Sequence, residues 1–304
     1  MRIVDAHIDA IVHSKKFPED FLKGWKKSQV DYVKMKEADI DLAFFSIFIP
    51  EQKQRTRKNY ITKIKKIRKF FENDKRFNLI LNKEDLKKRD RLGIILHIEG
   101  GDCISDLKDL LDLYNFGVRS MGIAFDIDNS LVGSLNSSRG LSRLGKKIIN
   151  KMNKLGIIID VSHMNEKSFW EVFKISKNPF VATHSNVFKI SKNKRNLNNR
   201  QIKALTEKGG MMGIFFSSPF LNDSKKANLS DIISHIDYVI KLVGIDYIGV
   251  GSDFGGILSG TPKGMGDISK LPKIMDGLEK KGYLKKDIEK IMGNNWIQVI
   301  KKIL

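Results

Sequence analysis

Five acidic or imidazole side chains follow short apolar runs in this chain, at positions that suit a metal site. His7 and Asp9 lie in the opening segment MRIVDAHIDA. The other three follow later apolar runs, and they are Glu99 in GIILHIEGG, His163 in GIIIDVSH and His184 in PFVATHSN. Neutral imidazoles and carboxylates are the ligands that zinc and similar divalent metals prefer. Five ligands exceed the need of one closed tetrahedral site and suit two metals that share a bridging carboxylate.

Each of these residues also has an ordinary structural interpretation. His7 and Asp9 are separated by one residue, which points both side chains to one face of a strand, but a lone His-x-Asp pattern is common. Glu99 closes a very apolar run, and a core glutamate paired with an arginine is its alternative. His163 or His184 alone is more often a hydrogen-bonded or helix-capping histidine. Their occurrence together favours the metal site.

Alternating strand and helix patterns predict how these residues are brought together. Eight apolar runs are predicted strands, near residues 2–6, 42–48, 93–98, 117–124, 155–160, 180–183, 210–216 and 246–252. Helical patterns cover roughly 19–38, 56–72, 104–114, 142–154, 165–177, 199–208 and 230–243, with a helical tail over 270–302. This order predicts an α/β fold, a (β/α)8 TIM barrel with a C-terminal helical segment, as a single domain over residues 1–304. Active sites of such barrels lie at the C-terminal ends of the strands, where the five candidates fall.

The composition is that of a globular protein, with 41% hydrophobic residues. The single cysteine, Cys103, excludes an intrachain disulfide and fits a reducing compartment. We see no secretory signal and no apolar run that approaches the length of a membrane span. These features predict a cytoplasmic protein.

The net charge of +20 needs its own interpretation, because a basic protein can bind nucleic acid or an anionic membrane. Lysines occur along most of the chain, and the densest basic stretch, residues 53–69, has apolar residues at helical spacing. This pattern predicts an amphipathic helix with a solvated basic face. We find no basic motif with interleaved aromatic residues for stacking bases. A small-molecule substrate is therefore expected, with nucleic-acid binding as the minor alternative.

Several longer segments carry a family resemblance. DAHIDA is similar to a D-G-H-N-D opening, HIEGG to I-E-G-G, and THSN to S-H-S-N, while residues 140–163 end in the characteristic DVSH. GVGSDFGG, residues 249–256, is similar to G-S-D-F-D-G, and residues 271–296 are similar to a pair of closing helices. Over nearly its whole length the chain resembles the membrane dipeptidase (renal dipeptidase) family of zinc metallopeptidases. The resemblance implies an amidohydrolase-like barrel that hydrolyses the peptide bond of dipeptides with a hydroxide held between two zinc ions.

The resemblance also implies individual roles. The implied zinc ligands are His7, Asp9, Glu99, His163 and His184, with Glu99 as the bridge. Arg195 falls where the family has an arginine that holds the terminal carboxylate of the substrate, and a guanidinium matches a carboxylate bidentately. Asp253 matches an aspartate that would orient or deprotonate the attacking water. A homodimer is possible.

The chain departs from the family pattern at residues that the resemblance places near the substrate. Phe125 aligns with a family histidine that contacts the scissile group, and phenylalanine has no hydrogen-bond donor for an oxyanion. Loss of one such donor costs about 10²–10³ in rate. Gly255 replaces the second aspartate of D-F-D-G, and Ile8 replaces an asparagine. The alternatives are therefore a divergent paralogue that hydrolyses another amide or small peptide, or a catalytically decayed metal-binding barrel.

Three further histidines are interpreted as structural. His97 precedes Glu99 by two residues and is expected in the core beside the ligands. His13 lies in a predicted loop after the first strand, and His235 lies on the predicted helix over residues 230–243.

Overall fold

The centre of the protein is a parallel sheet rolled into a barrel. The structure is a computed structural model that describes residues 1–12, 14, 16–25 and 27–304, so His13 lies outside the described residues. The described strands are β1 (Val4–Ile8), β2 (Leu42–Ile47), β3 (Phe77–Leu79), β4 (Leu92–Glu99), β5 (Val118–Gly122), β6 (Ile158–Asp160), β7 (Ala182–Ser185), β8 (Met212–Ile214) and β9 (Ile248–Val250).

Eight of these strands form the barrel, in the order β6-β5-β4-β2-β1-β9-β8-β7. All their pairings are parallel, and a bridge between Asp160 and Val181 joins the two ends of the sheet. The predicted (β/α)8 barrel is thereby confirmed. The sequence patterns do not predict β3, which pairs with β4 outside the barrel path. It has three residues, too few for a periodic signal.

Helices connect the strands and cover the barrel. They are α1 (Glu19–Lys23), α2 (Tyr32–Glu37), α3 (Arg57–Asn73), α4 (Leu107–Asn115), α5 (Arg143–Leu155), α6 (Glu166–Ile175), α7 (Asn199–Glu207), α8 (Ser218–Leu221), α9 (Leu229–Val243), α10 (Lys273–Lys280), α11 (Lys285–Glu289) and α12 (Asn295–Ile303). A π-helical turn, Lys290–Asn294, joins α11 to α12. The predicted C-terminal helical segment is therefore present. Among the described helices, none combines the length and apolar character that a membrane crossing requires.

The prediction of one helix over residues 19–38 is wrong. α1 ends before Gly24, which adopts a φ of 70° that other residues rarely take. α2 starts after Asp31, whose side chain caps the helix by accepting a hydrogen bond from the Lys34 amide. A Cβ on residue 24 would lie 2.9 Å from the Asp31 carboxylate, so the packing leaves no room for a side chain at the break between α1 and α2.

The helix α3 shows how the basic surface and the apolar core are divided. Its buried residues Tyr60, Ile64, Ile67 and Phe71 recur every three or four positions, which places them on one face. The lysines between them lie mainly on the outer face, as predicted from the sequence. At the other end of the chain, Trp296 of α12 packs into the apolar cluster at the strand starts and donates a hydrogen bond to the Val250 carbonyl.

Candidate metal centre and active site

The five predicted metal ligands converge at the C-terminal end of the barrel. They come from β1, β4 and β7 or from residues that directly follow β1 and β6, and they are His7, Asp9, Glu99, His163 and His184. Four of these side chains are almost completely buried, and His163 keeps a side-chain exposure of 17%. The fold thus gathers ligand types from distant parts of the chain into one cluster.

The Glu99 carboxylate lies at the centre of this cluster. Its Oε1 atom is 3.1 Å from His163 Nε2 and 3.6 Å from both His7 Nε2 and His184 Nε2. The Nε2 atoms of His163 and His184 are 3.0 Å apart. Three imidazole nitrogens surround one carboxylate oxygen, which is the arrangement expected of a ligand shared by two metals.

Asp253 adds a third carboxylate to the same end of the barrel. Its Oδ1 atom is 3.7 Å from His7 Nε2. The ligand atoms of His7, Asp9 and Asp253 lie within 4.8 Å of one another, and so do those of His7, Glu99 and His184. A third such group joins His7 to His97 and Asp160, so three groups of possible ligand atoms overlap at His7.

Unsatisfied polar atoms in this cluster show that it fits a metal. His7 Nε2 and Asp9 Oδ1 are buried and have no hydrogen-bond partner among the described residues. A buried polar atom without a partner costs about 1–3 kcal/mol, so such atoms are rare unless a ligand satisfies them. Both atoms belong to ligand types that bind divalent metals, and a bound metal ion would satisfy them.

The backbone at two site residues is held in a strained conformation. His163 and Asp253 both have a φ of 64°, in the left-handed region that residues other than glycine seldom occupy. The segment around Asp253 is tied to β1, because the Asp253 amide donates to the His7 carbonyl and the Asp9 amide donates to the Phe254 carbonyl. These main-chain bonds hold the carboxylates of Asp9 and Asp253 on one side of the cluster.

Burial keeps the acids of the site protonated to a higher pH than usual. It raises the pKa of Glu99 to about 8, and it raises the pKa of Asp9, which also lies near the Glu99 charge, to about 7. The pKa of Asp253 is raised well above its ordinary value by burial and by the charges of Asp9 and Glu99. Three carboxylates in one buried space repel each other, and a divalent cation would remove that repulsion.

Burial has the opposite effect on the imidazoles. The pKa values of His7 and His184 are held well below the usual value, chiefly by burial and then by neighbouring imidazoles. Burial and the charge of Arg195 lower the pKa of His163 to about 3. All three rings are therefore neutral at pH 7, which is the form that binds a metal.

Arg195 places a buried positive charge beside the cluster. The residue is 6% exposed, and its Nη2 donates to the His184 carbonyl at 3.2 Å. Within 4.0 Å, it forms no ion pair with any described carboxylate. Arg195 also lines a cavity of about 320 Å³ on the far side of His163. A buried guanidinium without a carboxylate partner is a candidate site for an anionic group of a ligand.

Phe125 forms part of an apolar wall above the cluster. Its ring centroid is 4.4 Å from that of Phe48 and 4.8 Å from that of His163, and the Arg55 guanidinium lies 5.1 Å from it. This wall borders a cavity of about 450 Å³ whose lining includes Glu99, His163 and Asp253. The cavity is large enough for a small-molecule substrate.

The two acids that follow Phe125 have different surroundings. Asp126 is exposed and lies 3.8 Å from His163 Nδ1 at the cavity mouth. The Asp128 carboxylate accepts hydrogen bonds from the Ser134 amide and the Ser137 hydroxyl, which stabilise its loop. Of the two, only Asp126 is placed to meet a substrate.

Two of the other histidines are buried. His97 Nδ1 lies 2.8 Å from Ser120 Oγ, but its Nε2 has no hydrogen-bond partner among the described residues, so the structural role of His97 stays a prediction. His235 accepts a hydrogen bond from the Val187 amide at Nδ1, and its Nε2 lies 2.9 Å from the Leu221 carbonyl oxygen. Both ring nitrogens of His235 are used within the fold.

Sequence reasoning did not single out Asp160, Thr183 or Arg55, which all contact or approach the cluster. Asp160 carried the same signal as Glu99, an acid that closes an apolar run. Thr183 directly precedes a candidate ligand but has no signal of its own. Arg55 lies in a basic loop, and its position in the cavity wall depends on the fold.

Comparisons with known proteins agree with this geometry. The family model for membrane dipeptidases, peptidase family M19, matches residues 1–304. An uncharacterized protein of Klebsiella pneumoniae from the pqqA 5′ region is 36% identical over 75% of this chain and 89% of its own length. An uncharacterized dipeptidase of Schizosaccharomyces pombe is 28% identical over 90% of this chain and 72% of its own.

The fold is also shared with a solved metallopeptidase. The Rhodobacter sphaeroides enzyme, crystallised with a phosphinate mimic of the dipeptide L-Ala-D-Ala, superposes with a TM-score of 0.92. The two are 24% identical, and the match covers 100% of this chain and 99% of the other. The parallel barrel and the family match together define a metallopeptidase. The chain belongs to the membrane dipeptidase family, peptidase family M19, and is a metallo-dipeptidase.

Proposed function

We propose that the chain hydrolyses the peptide bond of dipeptides at a site that holds two divalent metals, with zinc as the expected metal. The observation that carries this proposal is the cluster of three imidazoles around Glu99 Oε1, with unsatisfied atoms on His7 and Asp9. The proposed ligands are His7, Asp9, Glu99, His163 and His184, with Glu99 shared. Two such metals lower the pKa of a water molecule and polarise a carbonyl.

Asp253 is the proposed proton carrier. Its carboxylate borders the cavity and lies 3.7 Å from His7 Nε2, and burial raises its pKa well above the ordinary value. A carboxyl group with a raised pKa can take a proton from a nucleophilic water and return it to a leaving amine near neutral pH. No serine or cysteine nucleophile is required, and Cys103 is buried with its thiol pKa raised to about 12.

Arg195 is proposed to bind the terminal carboxylate of the dipeptide. The buried guanidinium forms no ion pair within 4.0 Å with any described carboxylate, and His163 lines both the cavity beside Arg195 and the cavity that borders Glu99. A substrate carboxylate would supply a direct partner with two parallel hydrogen bonds. This places the free carboxylate of the substrate on the His163 and His184 side of the cluster.

The metal proposal is tested by elemental analysis of the purified chain together with hydrolysis of a dipeptide panel. We expect about two divalent metals per chain and hydrolysis that a chelator abolishes. Glu99→Gln should lose most of the metal, because the neutral amide cannot replace the central charge. Glu72→Gln, on the surface of α3, is the matched control and should keep it. A chain that remains metal-free after zinc is added contradicts the proposal.

The carboxylate proposal is tested with substrates whose terminal carboxylate is free or amidated. Arg195→Ala should raise KM for the free form by roughly 10–100-fold while metal content stays normal. This factor corresponds to the loss of one charge-assisted hydrogen bond, about 1.5–3 kcal/mol. Arg200→Ala, an exposed arginine of the same segment, should leave KM unchanged. Equal rates on free and amidated substrates in the wild type would exclude this role of Arg195.

One observation supports a second candidate function, hydrolysis of a different amide or small peptide. The Arg55 guanidinium lies beside the apolar wall of Phe48 and Phe125, and the wall has no imidazole at the position where the family pattern has one. Activity on N-acyl amino acids with no activity on any dipeptide would favour that alternative. A metal-loaded chain without any hydrolytic activity would favour the decayed barrel.

A further inference from the structure

One threonine hydroxyl lies between two of the candidate metal ligands. Thr183 Oγ1 is 2.9 Å from His184 Nδ1 and 3.4 Å from His7 Nδ1. The Nε2 atoms on the opposite sides of both rings face Glu99. His7 comes from β1 and His184 from β7, so the hydroxyl joins ligands from two separate barrel strands.

The hydrogen of this hydroxyl points away from the histidines. Asp160 Oδ1 accepts hydrogen bonds from the amides of Ser162 and Thr183, each at 2.9 Å. Its other oxygen, Oδ2, is 2.5 Å from Thr183 Oγ1. Thr183 is the donor in this contact, so its single hydroxyl hydrogen is used by Asp160.

The oxygen of Thr183 then presents only lone pairs to its remaining neighbours. A nitrogen at 2.9 Å from such an oxygen must carry a hydrogen, so His184 is protonated at Nδ1 and keeps its lone pair on Nε2. The second lone pair of Thr183 is available to His7 Nδ1 at 3.4 Å, where the Ser162 hydroxyl, also at 3.4 Å, is its competitor.

We propose that Thr183 is a positioning residue that fixes the tautomers of His184 and His7, with Asp160 setting the direction of the hydrogen bond. The inference rests on the proposed metal site. Both imidazoles are held with the Nε2 lone pair toward Glu99, which is the form that a metal requires. Because His7 and His184 come from separate barrel strands, a single hydroxyl would orient ligands from two strands.

A purely structural role for Thr183 would have different consequences. A buried threonine that only fills space is replaced by valine without effect on the imidazoles, since valine has nearly the same shape. The positioning role requires the hydroxyl itself, so serine should replace threonine and valine should not. Interactions of this kind behind a metal ligand are worth about 10–100-fold in metal affinity.

The first experiment compares wild type, Thr183→Val and Thr183→Ser. Zinc affinity is measured by competition with a chelator of known affinity, and the histidine tautomers are read from ¹⁵N shifts of the metal-stripped, full-length chain. We expect Thr183→Val to bind zinc about 10–100-fold more weakly and to show a mixture of tautomers at His184. Thr183→Ser should restore both values. Ser168→Ala, which removes a buried hydroxyl from α6, is the control and should change neither.

A second variant, Asp160→Asn, reverses the hydrogen bond while keeping every ligand and Thr183. The amides of Ser162 and Thr183 hold the asparagine oxygen at the Oδ1 position, so its NH₂ group faces Thr183 Oγ1 and donates to it. The Thr183 hydrogen is then released toward His184 Nδ1, which at 2.9 Å is nearer than His7 Nδ1 or Ser162 Oγ, and donation to it moves the imidazole hydrogen to Nε2. We expect zinc to bind still more weakly than to Thr183→Val, with His184 in the Nε2–H form.

The outcomes are separable. Loss of the Asp160 charge alone would weaken zinc binding without moving the imidazole hydrogen. If Thr183→Val and Asp160→Asn keep the wild-type tautomer, or if serine is as defective as valine, the positioning role is excluded. If Thr183→Val does not fold, the Asp160→Asn tautomer decides. A wild type that binds no zinc would refute the proposed metal site, while its tautomers would still decide the role of Thr183.

Discussion

Phe125 borders the cavity beside the proposed metal ligands. Its ring packs on Phe48 and on the proposed ligand His163, and the Arg55 guanidinium lies beside both phenyl rings. Arg55 itself donates hydrogen bonds to the carbonyls of Ile49 and Pro50. Residue 125 therefore offers no hydrogen-bond donor to a developing oxyanion.

We expect Phe125→His to raise kcat on ordinary dipeptides by up to about 10², because an imidazole N–H would stabilise negative charge on the reacting carbonyl. The measurement is steady-state kinetics on metal-loaded wild type and variant. Phe125→Leu is the matched control, since it removes the ring without supplying a donor, and it should give no gain. A wild type that is already fast, with no gain in the histidine variant, would show that residue 125 does not limit catalysis.

The elements of the barrel could be predicted where apolar periodicity was long. The eight barrel strands and the amphipathic helix α3 follow directly from such patterns, and with them the ends of the strands that carry His7, Glu99 and His184. The pattern fails for β3, which is too short, and for residues 19–38, where one backbone conformation at Gly24 interrupts a helical pattern.

The residues that contact the proposed ligands, such as Thr183 and Asp160, could not be predicted, because their contacts depend on distances between separate strands. The bond from Thr183 to Asp160 joins β7 to β6, and its effect on His7 requires the register of β1 as well. No local pattern encodes these distances. The proposed ligands, in contrast, are chemically distinctive residue types at the ends of apolar strands, so their joint occurrence could be recognised from the sequence.

The loop after β9 departs from the family pattern at Gly255, although all five proposed metal ligands are present. Gly255 has a φ of 98°, and a Cβ there would lie 2.4 Å from the Asp9 carbonyl oxygen. Gln29 holds this loop by accepting from the Gly255 amide and donating to the Ile257 carbonyl. An aspartate at position 255, as in the family pattern, therefore requires another path for the loop.

At the scale of the whole molecule, charge is divided sharply between surface and site. The net charge of +20 comes from lysines and arginines spread along the chain, whereas three buried carboxylates gather at one end of the barrel. This division favours the solvated-surface interpretation of the basic charge. A single domain over residues 1–304, a cytoplasmic location and a possible homodimer stay predictions.

The buried carboxylates make the stability of the metal-free chain dependent on pH. Unfolded aspartate and glutamate are fully ionised above about pH 6. In the folded chain Glu99 and Asp9, with pKa values of about 8 and 7, still hold protons there. The folded state binds more protons than the unfolded state, so its free energy of unfolding falls as pH rises toward 8.

The buried histidines act in the opposite direction but in a lower window. Their lowered pKa values mean that the unfolded state, in which histidine titrates near pH 6.5, binds more protons, so they raise stability until that titration is complete about one pH unit higher. The interval above about pH 7.5 therefore isolates the carboxylates. A divalent metal replaces their protons and removes the cost of ionising them in the buried site.

We expect the melting temperature of the metal-stripped chain to fall between about pH 7.5 and 9, as pH rises through the pKa of Glu99, by roughly 2 °C per pH unit for a loss of about 1 kcal/mol. With saturating zinc the decline should disappear, so the stabilisation by metal grows with pH. Thermal unfolding with chelator and with zinc, at several pH values, measures both curves. Glu99→Gln should flatten the decline of the stripped chain, because its side chain cannot ionise. A stripped wild type whose stability is constant or rises over this interval would show that these carboxylates do not set its stability.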